Sequence, residues 1–467
     1  MRTTKKISRN IIVKTVICAA LAFAMVLPSA AAGRLDLTTV TAQAASASIS
    51  NKSLKLVEGK SQRISVSGST SAASWTSSNN SVASVSQSGK VTAKHEGSAT
   101  ITAAVGSAKL RCKVKVIVDP NIDAKAKAIM DKMSLTDKIY QMFIVTPEGL
   151  TGVNGVTAAG RTTQRAIRNH PVGGICYFSN NLVSVSQTQQ MIANTQKYSE
   201  KYTGLPMFIS VDEEGGNVAR CAQKLGTTKL SPMYYYQNKG RKRAYKNAQA
   251  IAAGIAALGF NLDYAPVADV WSNSQNTVIG TRAYSTSFSK ATALIPYAVR
   301  GFHSRDMLCT LKHFPGHGNT AGDSHTGSVY NNKSLSYLNT HEFLSFKAGI
   351  DAGADFVMVG HITDTKIDSA PASLSYKFVT KILKKKLGFN GLVITDSLSM
   401  GGVTNSYSTA QIAVKAVQAG DDILLTPTDL TASVNAIRSA VNSGTISESR
   451  IDRSVRKIII QKLKIVQ

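Results

Sequence analysis

Acidic residues are in short supply in this sequence: 27 Asp and Glu stand against 54 Lys and Arg in 467 residues, a formal net charge of +27. Such a surplus points to a polyanionic surface, toward which long-range attraction would concentrate the chain. Nucleic acid is one polyanion, but no basic segment interleaves with aromatics as a base-stacking surface requires, so no nucleic-acid partner is expected. Cysteine is scarce as well. Cys18 lies in the N-terminal apolar run, while Cys112, Cys176, Cys221 and Cys309 are widely spaced with no C-x-x-C pair. That excludes a disulfide framework; buried free thiols are the default, with a single Cys176–Cys221 bridge left open. No G-x-G-x-x-G follows any apolar segment, which excludes a dinucleotide turn.

Long apolar runs are missing too. TVICAALAFAMVLPSAAAG follows Arg2, Lys5, Lys6, Arg9 and Lys14, and is short of the ~20 residues a membrane span needs. Basic residues before a short apolar run and small residues after it make residues 1–44 a secretory signal peptide. Cleavage fits after Ala32 or Ala44, and Ala42-Gln43-Ala44 favours the latter. Cys18 comes too early in the run for a lipoprotein cysteine, so release or wall association is expected. Residues 1–44 hold six basic residues and one acidic, which leaves the mature chain at +22. No later segment is apolar enough to span a bilayer.

What is present divides at Asp119-Pro120. Residues 47–118 carry ten Lys and Arg against Glu58 and Glu96, in short alternating runs such as QRISVSG, GKVTA and KLRCKVKVIV separated by Gly, Ser and Asn turns. That pattern predicts a small all-β sandwich. From 121 to 467 the pattern changes. Helical periodicity opens in AKAKAIMDKMSLTDKIYQMF, with Ser134 or Thr136 available as a cap. Eight apolar β-branched segments follow: 142–146, 173–178, 206–212, 260–269, 308–314, 356–362, 391–396 and 422–427. Helical stretches such as TAQIAVKAVQAG alternate with them. Fully apolar strands alternating with helices imply a parallel sheet covered on both faces. Eight units predict an α/β fold of the (β/α)8 TIM-type barrel.

Barrel enzymes gather their chemistry at the C-terminal ends of the strands. Asp212, Asp269, Lys312-His313, His361 and Asp396 end five consecutive segments. After the fifth comes KHFPGHGNTAGDSHTG, with His313, His317 and His325 inside thirteen residues. His313 and His317 have the i, i+4 spacing of zinc ligands, but Pro315, Gly316 and Gly318 argue against the helix that spacing needs, and Lys312 repels a cation. No metal is expected there, and no metal or cofactor elsewhere in the chain. Asp323-Ser324-His325 instead suits an aspartate orienting an imidazole for proton transfer, on a glycine-containing loop long enough to reach the barrel mouth. Asp396, fixed at the end of GLVITD, suits nucleophilic attack.

Two resemblances sharpen these readings. SWTSSNNSVASVSQSGKVTAKHEGSATITA resembles the bacterial immunoglobulin-like group 2 module, with Trp75 in its core and Gly89 and Gly97 at turns. Such a resemblance implies a spacer or a wall-binding unit. MSLTDKIYQMF, VDEEGGNVAR, VIGTRAYS, KHFPGHGNTAGDSH and GFNGLVITDSLSM, in that order, resemble glycoside hydrolase family 3, specifically its single-domain NagZ-type β-N-acetylglucosaminidases. By that resemblance Asp396 is the nucleophile, His325 the general acid/base and Asp323 its partner. Asp212, Arg220, Arg282, Lys312 and His313 match the positions that hold the sugar. Other family members draw their acid/base from a C-terminal α/β domain, which this chain is expected to lack. Asn217 stands where Arg is frequent and Ser397 where Asp is frequent, which leaves the outer subsites open. The implied enzyme is a secreted, monomeric, retaining exo-β-N-acetylglucosaminidase acting on GlcNAc-containing cell-wall glycans. Alternatives are a phosphorylase or β-glucosidase of the same family, a zinc hydrolase, and a non-catalytic wall-glycan-binding protein.

Overall fold

The computed structural model describes residues 46–465, so the expected signal peptide lies outside the described residues. Strands occupy the chain from Ser48 to Ile117. A four-stranded sheet, in spatial order Ser53–Val57, Ala108–Ile117, Gly97–Val105 and Ser74–Ser77, faces a three-stranded one of Ser61–Arg63, Lys90–Ala93 and Ala83–Val85. Alternation decides which side chains meet between them. Along Ala108–Ile117, Cys112, Val114 and Val116 are buried, with Leu56, Ile64, Trp75 and Ile101 in the same core. The intervening Lys109, Arg111, Lys113 and Lys115 are exposed. Four of the module's basic residues therefore form one outward row.

Asp119 ends the sandwich and caps the helix Pro120–Met130 by accepting from the Asn121 N–H, with Pro120 placed where no N–H is needed. Ser134 and Asp137 then form a reciprocal capping box on Leu135–Gln141. The single periodic run is thus two helices.

Eight parallel strands follow: β1 (Phe143–Val145), β2 (Gly174–Cys176), β3 (Phe208–Val211), β4 (Leu262–Asp263), β5 (Leu308–Phe314), β6 (Phe356–Val359), β7 (Leu392–Thr395) and β8 (Leu424–Leu425). Each pairs with its sequence neighbours, from Ile144 beside Gly174 through to Val359 beside Thr395. Phe143 beside Leu424 and a bridge from Ile394 to Ile423 close the ring. The fold is a (β/α)8 barrel behind an immunoglobulin-like sandwich, as the alternation of segments predicts. Every β5 residue is buried, as a sheet covered on both faces requires.

Two segments are much shorter than their sequence reading. Of 422–427, only Leu424–Leu425 is a strand. The run 260–269 is a ladder only over Leu262–Asp263, because Pro266 offers no N–H to the sheet. Beyond it, Val267 bridges to Lys312 and the Ala268 N–H donates to the Lys312 carbonyl, which still brings Asp269 to the barrel end.

The sandwich sits on the N-terminal end of the barrel. Ser81 Oγ donates to the Gly388 carbonyl (2.5 Å), Arg456 pairs with Glu96 (2.7 Å) and Asp123 (2.8 Å), and Lys464 pairs with Glu58. All four described cysteines are free and buried, so Cys176 and Cys221 do not pair. No helix among the described residues is long and apolar enough to cross a membrane.

Candidate active site

The C-terminal mouth of the barrel is crowded with charge. Lys312, near the end of β5 and only 2% exposed, lies 2.7 Å from Asp212 Oδ1 and 2.6 Å from Glu214 Oε1. Arg282 grips the same Glu214 in a fork, Nε to Oε2 at 2.8 Å and Nη2 to Oε1 at 2.7 Å. Burial alone would raise the Glu214 pKa, but Arg282 and Lys312 hold it well below the usual carboxylate range. Lys312 is in turn raised, because Asp212 and Glu214 outweigh the burial that would lower it. The cluster is a charge-assisted lattice whose geometry each member fixes for the others.

Asp269 anchors the start of the opening loop. Its Oδ2 accepts from the His313 backbone N–H (3.0 Å) and lies 2.6 Å from His313 Nδ1; its Oδ1 accepts from the His317 N–H (2.6 Å). The ring is thereby fixed with Nε2 facing Arg282, 3.5 Å from Nη2. His317 packs edge-on against the His313 ring, 5.9 Å between centroids, and spends its ring nitrogens within the loop. Buried, with Thr320 Oγ1 at 2.8 Å and Ser324 Oγ at 3.0 Å, it is lowered by burial and braces the loop.

Asp396 follows β7 directly and is half-buried. Its backbone N–H donates to the Val359 carbonyl (2.9 Å), and Oδ1 accepts from the Ser397 N–H (2.8 Å). Burial opposes ionisation, yet His313, His361, the Ser397 N–H and Lys312 together bring the Asp396 pKa below its ordinary value. No hydrogen bond occupies Oδ2 among the described residues. His361 is buried between Ser373 Oγ (2.7 Å) and the Ser397 carbonyl (2.8 Å), which steadies the backbone next to Asp396.

The Asp323–His325 pair forms as the sequence suggests: Asp323 Oδ1 is 2.6 Å from His325 Nδ1 and accepts from the His325 N–H at 2.9 Å. The two side chains are 42% and 62% exposed, and Nε2 of His325 has no partner among the described residues. The loop is nevertheless pinned. The N–H groups of Gly401 and Gly402 donate to the carbonyls of His325 and Ser324, both at 3.0 Å. Glycine is required there, since a Cβ at Gly401 would lie 2.5 Å from the Thr326 oxygen and one at Gly402 2.9 Å from His361 Cβ. The loop is thus tied to the helix Gly401–Thr404, only a few residues past Asp396.

Arg220, at the start of Arg220–Leu225, lies over the Phe178 ring (5.8 Å to its centroid) with Nε buried and unpartnered among the described residues. Of the eight residues singled out from sequence, Asp212, Lys312, His313 and Arg282 therefore share one network, and Asp396 feels its field. Asp323 and His325 form a separate exposed pair. Glu214 and Asp269, absent from that set, are the hubs that hold it. Asp269 carried a signal, as a polar residue ending an apolar segment; Glu214 carried none, because the two cations it joins lie far along the chain. A cavity of about 850 Å³ lies at the other end of the barrel, so cavity size does not mark this site; the uncommitted atoms of Asp396 and His325 do.

Comparison with known proteins agrees with both halves. Residues 134–460 match the glycosyl hydrolase family 3 N terminal domain, and residues 43–116 match the bacterial Ig-like domain (group 2). The chain is 29% identical over 327 residues to beta-hexosaminidase A of Pseudoalteromonas piscicida, covering 64% of this chain and 55% of that one. It therefore spans little more than half that relative's length. With beta-hexosaminidase LpqI of Mycobacterium tuberculosis it shares 30% identity over 383 residues, 80% of this chain and 94% of the relative. The solved structure of a glycoside hydrolase family 3 beta-N-acetylglucosaminidase from Paenibacillus sp. str. FPU-7 superposes with a TM-score of 0.67 at 33% identity, covering 72% of this chain and 63% of that one.

Proposed function

The chain belongs to glycosyl hydrolase family 3, and from that membership we propose that it is a retaining exo-β-N-acetylglucosaminidase removing terminal β-linked GlcNAc from cell-wall glycans. One observation carries the reading: an aspartate whose pKa is lowered, with a free Oδ2, shares the mouth with a histidine whose Nε2 is free and whose Nδ1 is held by a carboxylate. Asp396 attacks the anomeric carbon as the glycosidic C–O bond breaks, and His325 Nε2 gives its proton to the departing oxygen. Asp323 steadies the imidazolium. In the second half, Nε2 takes a proton from water, whose oxygen attacks the anomeric carbon and releases Asp396. Asp212, Lys312 and His313 offer acceptors and donors for sugar hydroxyls, backed by Arg282, and Arg220 brings an unused donor. A histidine in place of a second carboxylate avoids like-charge repulsion beside Asp396.

The test is turnover of matched aryl β-GlcNAc and β-glucoside substrates by the purified protein. Faster release from β-GlcNAc is expected; no turnover of either sinks the proposal. The use of histidine also favours a second reading, phosphorolysis, because it does not repel an approaching phosphate as a carboxylate would. Products formed in phosphate buffer decide: free GlcNAc for hydrolysis, GlcNAc 1-phosphate for phosphorolysis.

Export and wall association belong to the same proposal. The outward row of Lys109, Arg111, Lys113 and Lys115 supports attraction to an anionic wall polymer. Retention of the protein on purified walls should then fall as salt rises, and salt-independent retention would count against it.

A further inference from the structure

Away from the mouth, a second group of chemically capable side chains gathers beneath the sandwich. His303 ends the helix Phe288–His303, Cys309 is the second residue of β5, and Asp355 immediately precedes β6. One ligand atom from each lies within 4.8 Å of the others. His303 Nε2 is 2.8 Å from Asp355 Oδ2 and 3.7 Å from Cys309 Sγ. Both contacts converge on the same ring nitrogen, which carries at most one hydrogen and cannot donate to both. A fourth donor comes from the sandwich. His95, between Lys90–Ala93 and Gly97–Val105, has Nε2 buried with no hydrogen-bond partner among the described residues. His95, His303 and Asp355 line the cavity of about 850 Å³ at the seam. His303 is 34% exposed and Asp355 12%, so an ion has a way in.

We propose that this seam is a binding site for a zinc-type divalent cation, with His303, Cys309 and Asp355 as ligands and His95 closing the set. The donor set decides the metal. Imidazole nitrogen and thiolate sulfur with one carboxylate suit borderline-soft zinc, whereas magnesium and calcium want oxygen throughout. Binding displaces the proton between His303 and Asp355 and the thiol proton of Cys309, and both pass to solvent. Because three ligands belong to the barrel and one to the sandwich, the ion would fasten the two together. The three barrel ligands are each scaffolded by a strand or helix end, so only His95 needs to adjust. Sequence spacing hid the group, since no two of the four residues fall in a recognisable metal motif.

The experiment titrates metal-stripped full-length protein with Zn²⁺ against a chromophoric chelator. One tight equivalent is expected, with a higher Tm when it is bound. His303→Gln and Cys309→Ser should each weaken binding more than about tenfold, the scale on which even supporting groups act at metal sites. His95→Gln should weaken binding less and lower the Tm gain. Co²⁺ in place of Zn²⁺ should show a thiolate-to-cobalt charge-transfer band in the unmodified protein, which decides the matter even if a variant fails to fold. Absence of stoichiometric binding, absence of that band, or full affinity in Cys309→Ser overturns the proposal.

Discussion

Two lysines are buried among the described residues, one at each end of the barrel, and their surroundings push them in opposite directions. Lys312 at the mouth touches two carboxylates and is raised; Lys462 at the floor touches only the Gln141 amide (Nζ to Oε1, 2.7 Å) and the face of Phe208, and burial lowers it to about 7. The carboxylates differ in a parallel way. At the floor, Asp422 is saturated by Lys384 (2.9 Å), Ser454 (2.6 Å) and the Val393 N–H (3.1 Å). At the mouth, Asp396 keeps an oxygen uncommitted. Charge at both ends is buried and networked, so density of charge does not identify a site. Atoms left free by an otherwise rigid network do, since they can meet a substrate without first breaking a bond.

Substituting one aspartate at each end tests that contrast most directly. Asp396→Ala should cut kcat on an aryl β-GlcNAc by roughly 10³-fold or more, as expected when a nucleophile is removed, with little change in Tm. Asp422→Asn should do the reverse: about 3–5 kcal/mol of stability lost because Lys384 is left without its carboxylate, but kcat per folded molecule unchanged. Equal activity of Asp396→Ala and wild type would break the comparison outright. The next largest effect belongs to His325→Ala. With a disaccharide, whose leaving oxygen needs a proton, the loss should be about 10²–10⁴-fold. With a nitrophenyl leaving group it should be much smaller, and equal losses on both substrates would remove His325 from proton transfer.

How far the sequence disclosed this arrangement depends on distance along the chain. The barrel was legible because each strand is a short apolar run with its own boundaries, and Ser134 capped the helix as its position suggests. Segments 260–269 and 422–427 were overextended, the first where Pro266 interrupts the ladder. The Asp323–His325 pair was legible because its members are two residues apart. Glu214 was not, because its meaning lies in Arg282, 68 residues away, and in Lys312 beyond that. The seam was hidden for the same reason: the bond from Ser81 to Gly388 spans 307 residues. Chemistry set by local geometry can be read from a string; chemistry set by closure of the barrel cannot.

A smaller effect probes how rigidly the mouth is built. Gly401→Ala would place a methyl against the Thr326 carbonyl, forcing the loop away from the helix Gly401–Thr404. The expected result is a loss of about 1–3 kcal/mol in stability from overpacking. A displaced acid/base should also lower kcat by about 10–100-fold with substrates that need protonation. If kcat were unchanged while stability fell, the loop's attachment would serve folding alone.

Taken per pH unit, the smallest effect lies at the floor and concerns Lys462. Its pKa of about 7 is below the ordinary 10.5, so between those values the unfolded chain holds a proton that the folded chain does not. Stability must then fall as pH falls from 10.5 toward 7, by at most about 1.4 kcal/mol per pH unit, and level off below 7 where both states are protonated. Lys462→Met removes that slope. Relative to wild type, the variant should be at its least stable near pH 10, where it has lost only the bond to Gln141, and should gain steadily on wild type down to pH 7. Urea denaturation of both proteins at several pH values measures the difference. A gap that does not change with pH would mean that Lys462 stays charged in the folded protein, and that the Phe208 face and the Gln141 oxygen do for it what Asp212 and Glu214 do for Lys312.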